Sequence, residues 1–202
     1  MCFSYNMALY LYNICKIFLL IIANNSLYFS LNNMSNERII NVFLDESAEI
    51  NRTAEVAHEY QTAVSDLLEN NYFHLCKNPG GEVVERGPYN LHLSIVENRL
   101  LMDIRRLVLL SSGEVTENKR EKLTIPMSPF RGVVKDYFFI CESYYDAVKQ
   151  TSPTQLETLD MAKRSVHNDG SEMLIDLLTP NIDVDFDTAR RLFTLICVLH
   201  IR

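Results

Sequence analysis

Residues 127–149 of the chain read MSPFRGVVKDYFFICESYYDAVK, and the pattern of this stretch decides the fold that we expect. Ser128 and Pro129 are typical of a helix N-terminus, because serine caps the helix and proline needs no N–H in its first turn. The apolar side chains that follow recur at spacings of three and four residues: Phe130, Val134, Tyr137, Cys141, Tyr144 and Val148. This periodicity predicts a long helix that packs at the centre of the molecule.

The composition of the 202-residue chain is that of an ordinary globular protein. Its formal net charge of −7 at pH 7 argues against a nucleic-acid partner, since phosphate binding requires a basic surface. Five cysteines are scattered along the chain and none forms a CxxC pair, a usage typical of free thiols in a reducing compartment. The sequence therefore predicts a cytoplasmic protein that binds neither nucleic acid nor membrane, with its oligomeric state left open.

Residues 1–33 differ in composition from the rest of the chain, because Lys16 is their only charged side chain. A signal peptide or membrane anchor built on residues 14–23 is one interpretation. Against it, the apolar run lacks a basic flank and a cleavage site, and it is shorter than the roughly twenty residues that a bilayer requires. We therefore interpret residues 1–33 as a non-native upstream extension from a wrongly chosen start codon. Translation then begins at Met34, and residues 34–202 form a single α+β domain.

The first half of this domain has the pattern of a mostly antiparallel sheet with one helix. Residues 38–44 have the β-branched composition of a strand, and residues 53–70 have the periodicity of an amphipathic helix. Apolar and polar residues alternate from Tyr89 onward, and the turn signal at residues 97–99 predicts a hairpin. Residues 111–122 form either a charged loop or an extended hairpin tip.

The second half has a helical pattern almost throughout. Residues 152–155 (SPTQ) form a capping box that starts a helix, and residues 167–170 (HNDG) are expected to break it before a shorter helix follows. Asp185 or Asp187 caps a final helix that is apolar on nearly all sides after Thr194, which predicts a core position. The predicted fold class is α+β: an antiparallel sheet of about four or five strands with one N-terminal helix, packed by a C-terminal bundle of three or four helices.

Three long stretches resemble an uncharacterised family of alphaproteobacterial proteins, family 0262. They are SPFRGVVKDYFFICESYYDAV (128–148), SPTQLETLDMAKRSVHNDGSEML (152–174) and VDFDTARRLFTLICVLH (184–200). The resemblance begins near Arg38 and continues to the C-terminus. Because the family has no assigned activity, the resemblance implies membership without implying a function.

Charged side chains at three places are candidates for a ligand site. Two groups lie on helices: one runs along a side of the helix over residues 127–149, and the other opens the final helix behind Asp185 and Asp187. The arginines of the second group either pair with those acids or hold a carboxylate or phosphate. The polar hexapeptide at residues 167–172 adds a histidine. The candidate ligand-binding residues are Arg131, Lys135, Glu142, His167, Arg190 and Arg191.

Two functions remain open from the sequence. The first is a non-catalytic domain that binds a small anionic ligand or a protein partner, which we favour because no catalytic motif occurs. The alternative is a small enzyme, possibly a hydrolase, that acts on an anionic substrate with Glu142 or His167 as acid or base.

Metal and thiol chemistry have little support in the sequence. Glu55-x-x-His58 has the spacing of half a di-metal site, but a second such motif is missing from the chain. Cys141 and Cys197 lie on apolar helix faces, where cysteine is usually an inert core residue. We therefore predict no metal and no cofactor.

We predict that translation starts at Met34. Residues 1–33 lack the basic flank and the cleavage site of a targeting segment, so their synthesis is not expected. Replacing the Met34 codon in a C-terminally tagged chromosomal copy should abolish the tagged protein, whereas replacing the Met1 codon should leave its amount unchanged. Loss of the protein on replacing the Met1 codon would contradict the prediction.

Overall fold

The computed structural model describes residues 37–45, 54–76, 86–150 and 153–200. In chain order the elements are β1 (Ile39–Leu44), α1 (Ala54–Glu69), β2 (Phe73–Leu75), β3 (Tyr89–Val96), β4 (Arg99–Leu109), β5 (Val115–Pro126), α2 (Arg131–Gln150), α3 (Pro153–Leu178), β6 (Ile182–Val184) and α4 (Phe186–His200). The predicted α+β class is confirmed. The interpretation of residues 1–33 and the capping role of Ser152 concern positions outside the described residues.

The main sheet contains four strands in the order β1-β3-β4-β5. Strands β3, β4 and β5 pair antiparallel, as their alternating pattern predicts, whereas β1 pairs with β3 in parallel. The sheet is therefore mixed, because α1 and β2 separate β1 from β3 and return the chain in the same direction. A small second sheet pairs β2 antiparallel with β6.

Two turns connect the antiparallel strands of the main sheet. Glu97 and Asn98 have φ angles of 49° and 59° and link β3 to β4 in a two-residue turn, whose backbone twist matches that of the strands. The turn between β4 and β5 contains Gly113, whose φ of 82° suits glycine. Because β4 and β5 pair along their whole lengths, residues 111–122 form the extended hairpin and not the loop.

Helix α4 occupies the centre of the helical layer. Its side chains from Leu192 to Leu199 are all buried, and it packs against both α1 and α3 while also touching α2 and β3. Helix α2 packs chiefly against α3, and it leaves Phe139 69% and Val148 49% exposed. The central position that we expected for residues 127–149 thus belongs to α4. The part of α4 after Thr194 is apolar on nearly all sides and therefore cannot present a face to water.

The N-terminus of each of these two helices has its own local structure. Asp185 Oδ1 accepts a hydrogen bond from the backbone N–H of Thr188 at 2.6 Å, so Asp185 is the cap of α4. Ser128 and Pro129 belong to a 3₁₀ turn, Ser128–Phe130, that leads into α2. Phe130 is fully buried at the end of this turn.

Helix α3 continues through residues 167–170, where the sequence pattern predicts a break. A Cβ atom on Gly170 would lie 2.4 Å from ring carbons of Phe193 on α4. Glycine at this position therefore serves the close approach of two helices and does not end one. The predicted break was wrong because glycine has two uses. It can stop a helix, but here it is needed inside one, where the contact with Phe193 leaves no room for a side chain.

We expect Gly170→Ala to destabilise the protein. Phe193 is 0% exposed, so its ring cannot move into solvent to make room for the added methyl group. Overpacking of this kind should lower the free energy of unfolding by about 1–3 kcal/mol, measured by urea denaturation.

Gly132→Ala is the matched control for this substitution. Gly132 lies in the exposed first turn of α2, and no atom lies within 4 Å of the position of its added Cβ. Alanine there should leave the free energy of unfolding unchanged or raise it by up to about 1 kcal/mol, because alanine favours the helix. Equal effects of the two substitutions would show that the Gly170–Phe193 contact does not constrain the fold.

Candidate functional site

A cavity of about 250 Å³ lies between α1, α3 and α4. Its lining consists of Glu59, Thr62, Ala63 and Asp66 from α1, His167 from α3, and Asp187, Arg190, Arg191 and Thr194 from α4. On both α1 and α4 the lining residues have the spacing i, i+3, i+4, i+7, which places them on one face of each helix. Two polar helix faces are therefore opposed across the cavity.

Helices α1 and α4 run antiparallel along this cavity. Arg191 Nη1 donates a hydrogen bond of 3.0 Å to the carbonyl oxygen of Asn70, which follows the last turn of α1. Asp66 is one turn before Asn70, so it shares this end of the cavity with Arg191. Glu59 is two turns further back on α1, where it forms an ion pair with Lys163 of α3. The cavity thus has one end with a free acidic group and one end where the acidic group is paired.

His167 forms the buried wall of the cavity. It is 6% exposed, and its ring packs edge-on against Tyr137 of α2 and Phe193 of α4, with centroid separations of 5.3 and 6.0 Å. The hydroxyl of Thr194 donates to the carbonyl oxygen of Arg190 at 3.2 Å and lies 3.4 Å from His167 Nδ1. The direction of the contact between this hydroxyl and Nδ1 depends on the tautomer of the ring, and either neutral tautomer has one donor and one acceptor nitrogen.

The surroundings of His167 favour its neutral form. Burial, followed by the positive charges of Arg190 and Lys163, lowers the pKa of the imidazole to about 4, against a smaller opposing effect of Glu59. At neutral pH the ring is therefore uncharged. The ring then contributes one hydrogen-bond donor and one acceptor nitrogen to the wall of the cavity.

Lys163, one turn before His167 on α3, connects three helices next to the cavity. Its ammonium group pairs with Glu59 of α1 and lies 5.8 Å from the ring centroid of Tyr144 on α2. Burial raises the pKa of the neighbouring Cys141 thiol despite the opposing effect of the Lys163 charge. The thiol is thus protonated near neutral pH, as expected of an inert core cysteine.

The two arginines of the cavity differ in their partners. Arg191 donates to the carbonyl of Asn70, whereas the guanidinium of Arg190 makes no hydrogen bond or ion pair with any residue that the structure describes. Asp185 is engaged as the cap of α4. Asp187 likewise forms no ion pair within the described ranges. The sequence left open that these two acids pair with the two arginines. No such ion pair occurs among the described residues.

Comparison with known protein families matches residues 36–202 to the family described as Uncharacterised protein family (UPF0262). The chain belongs to this family.

Its relatives include UPF0262 proteins from three bacteria. The protein of Xanthobacter autotrophicus is 47% identical over 163 residues, which cover 81% of this chain and 92% of the relative. The protein of Paramagnetospirillum magneticum is 46% identical over 166 residues, with coverages of 82% and 97%. The protein of Agrobacterium fabrum is 45% identical over 168 residues, with coverages of 82% and 96%.

These comparisons confirm the family resemblance that the sequence motifs indicate. The name UPF0262 assigns no activity to the family or to these relatives. No solved structure matches the chain. The function of this UPF0262 protein must therefore be argued from its own geometry.

Three of the six predicted site residues line the cavity, namely His167, Arg190 and Arg191. The other three, Arg131, Lys135 and Glu142, are exposed on α2 and are not part of the lining. The structure thus separates the candidates into a group within a concave site and a group on a convex helix surface. A role of any of the six in ligand binding stays a prediction.

The wall formed by α1 was missed by the sequence reasoning. Glu59 and Thr62 fall on the polar side of an amphipathic helix, a side that usually faces solvent. The available signal was the spacing i, i+3, i+4, i+7, which is polar at three of its four positions from Glu59 on α1 and at all four from Asp187 on α4. This signal becomes informative only when the two helices are known to be neighbours.

Two further properties of the UPF0262 chain concern metals and membranes. In the parts of the chain that the structure describes, no three His, Cys, Asp or Glu side chains are grouped so that they could hold a metal ion. Among the described helices, none combines the length and the apolar character required to cross a membrane.

We expect the UPF0262 protein to lose stability as the pH falls below about 6.5, where an unfolded histidine becomes protonated. The pKa of His167 is about 4 in the folded state, so the unfolded state binds more protons between these values and the free energy of unfolding falls with falling pH. The full loss from this residue is on the order of 3 kcal/mol, reached near pH 4.

Urea denaturation at pH 7.5 and pH 5 measures this effect when the wild type is compared with His167→Gln. The glutamine variant should be less dependent on pH because its side chain does not titrate. His58→Gln, at an exposed position of α1, is the control and should keep the pH dependence of the wild type. A His167→Gln variant whose stability changes with pH as steeply as that of the wild type would refute the assignment.

Proposed function

We propose that this UPF0262 protein binds a small anionic ligand in the cavity between α1, α3 and α4 without converting it chemically. The observation that carries the proposal is Arg190, which lines the cavity and has no anionic partner among the described residues. A guanidinium group offers a planar fork of N–H donors that matches carboxylate and phosphate oxygens.

The neighbours of Arg190 are compatible with such a ligand. His167 is neutral, so one nitrogen of its ring can accept a hydrogen bond, which suits a hydroxyl or amine group beside the anionic group. Arg191 adds a second positive charge to the same helix face. The volume of about 250 Å³ is near the lower limit of small-molecule sites, which is roughly 300 Å³, so the ligand should be a small metabolite.

Binding is favoured over the hydrolase alternative by the positions of the two candidate acid-base residues. Glu142 is exposed on α2 and is not part of the lining of the cavity. His167 lines the cavity, but with a pKa of about 4 it is a weak base near neutral pH, whereas a general base works best when its pKa is close to the working pH.

We also propose that the protein is cytoplasmic. The cysteines that the structure describes, Cys76, Cys141 and Cys197, are free thiols. Free thiols in this number are typical of a reducing compartment.

We expect at least one of three simple anions, inorganic phosphate, acetate or succinate, to bind the full chain in isothermal titration calorimetry. Arg190→Gln should weaken that binding by roughly 10- to 100-fold, because it removes a charge-assisted hydrogen bond of about 1.5–3 kcal/mol. Proton NMR of the titrated ligand should show no product, whereas turnover would favour the enzyme alternative.

Arg131→Gln is the matched control for this titration. Arg131 is exposed on α2 outside the lining of the cavity, so its replacement removes one positive charge without altering the site. Its affinity should equal that of the wild type. Equal losses in the two variants, or the absence of binding by any anion or amino acid, would overturn the proposed site.

A further inference from the structure

The cavity of this UPF0262 protein carries charges of both signs on opposite walls. The wall formed by α1 contains Glu59 and Asp66, and the wall formed by α4 contains Arg190 and Arg191 next to Asp187. Opposite charges on adjacent helices usually pair directly when they are within reach of each other. Here, however, the structure shows no ion pair between the acids of α1 and the arginines of α4 in its described parts.

The existing contacts account for two of these groups and leave three unpaired. Glu59 is paired with Lys163, and Arg191 donates to the carbonyl of Asn70. Asp66, Asp187 and Arg190 have no side-chain partner among the described residues. The cavity thus separates a free carboxylate on α1 from a free guanidinium on α4, and the wall formed by α4 also carries the free carboxylate of Asp187.

We propose that the ligand is a small zwitterion, whose carboxylate binds Arg190 and whose ammonium group binds Asp66. This inference rests on the proposed function and specifies its ligand class: an amino acid in which the two charged groups span the space between the helices. The neutral ring of His167 next to Arg190 adds no charge, so the carboxylate of the ligand would meet the guanidinium of Arg190 on one wall and its ammonium group the carboxylate of Asp66 on the other.

The opposite charges on the two walls also discriminate against ligands that carry only one charged group. A carboxylic acid without an amino group leaves Asp66 unpaired beside a second negative charge. An amine without a carboxylate leaves Arg190 unpaired beside a second positive charge. Both cases combine a lost attraction with a repulsion, which is how charged sites obtain specificity.

Calorimetric titration of the full chain with 4-aminobutyrate, butyrate and butylamine tests the inference, because these probes share one carbon chain and differ only in their charged ends. L-alanine and propionate form a second pair in which the charged groups are closer together. We expect the amino acid of at least one pair to bind ten times or more tightly than the matching carboxylate. Butylamine should not bind saturably.

Two substitutions test which side chain binds each charged end of the ligand. Asp66→Asn should reduce the affinity for the amino acid tenfold or more without weakening the binding of the carboxylate, whereas Arg190→Gln should weaken both. Asp136→Asn is the control, because Asp136 is exposed on α2 outside the cavity lining. It should leave both affinities unchanged.

The outcomes separate this inference from the proposed function. If each carboxylate binds as tightly as its amino acid, or if Asp66→Asn does not affect the amino acid, the zwitterion is excluded while the anion site at Arg190 stands. If no amino acid, carboxylate or phosphate binds, the anion site and the zwitterion fail together.

Discussion

The contact between Gly170 of α3 and Phe193 of α4 is the constraint on which the arrangement of the helices depends. The ring of Phe193 takes the space that a side chain at residue 170 would need, and it also packs against Phe130, Tyr137 and His167. Three helices and the 3₁₀ turn before α2 therefore converge on one buried ring. Since protein interiors are close-packed, a ring shared in this way determines the distances between all of these elements.

The cavity is a consequence of this convergence. His167 packs edge-on against Phe193, which directs the imidazole to the wall between α1 and α4 and removes it from water. Burial in turn makes the ring neutral, so a residue that could have supplied acid-base chemistry becomes an acceptor of hydrogen bonds. The unpaired guanidinium of Arg190 beside it is the basis of the anion binding that we propose.

Much of the architecture could be predicted because it depends on local patterns. The alternation from Tyr89 and the turn at Glu97 and Asn98 specify a hairpin, since only one register places the apolar side chains on one face. The parallel pairing of β1 could not be predicted, because a strand reads the same in either direction. Three of the nine residues that line the cavity were also among the candidates: Arg190, Arg191 and His167 were recognised by their chemistry, whereas Asp66 on α1 is indistinguishable in sequence from any exposed acid.

The sequence by itself determined the α+β class, the apolar α4 and the family, because periodicity, composition and long motifs are properties of the chain alone. Only the tertiary structure decided that Gly170 lies within a helix, that α4 and not α2 is central, and that α1 faces α4 across a cavity. The physical reason is that close packing and charge pairing are relations between elements. A glycine or an arginine acquires its role from the side chain that approaches it, and the sequence does not state which side chain that is.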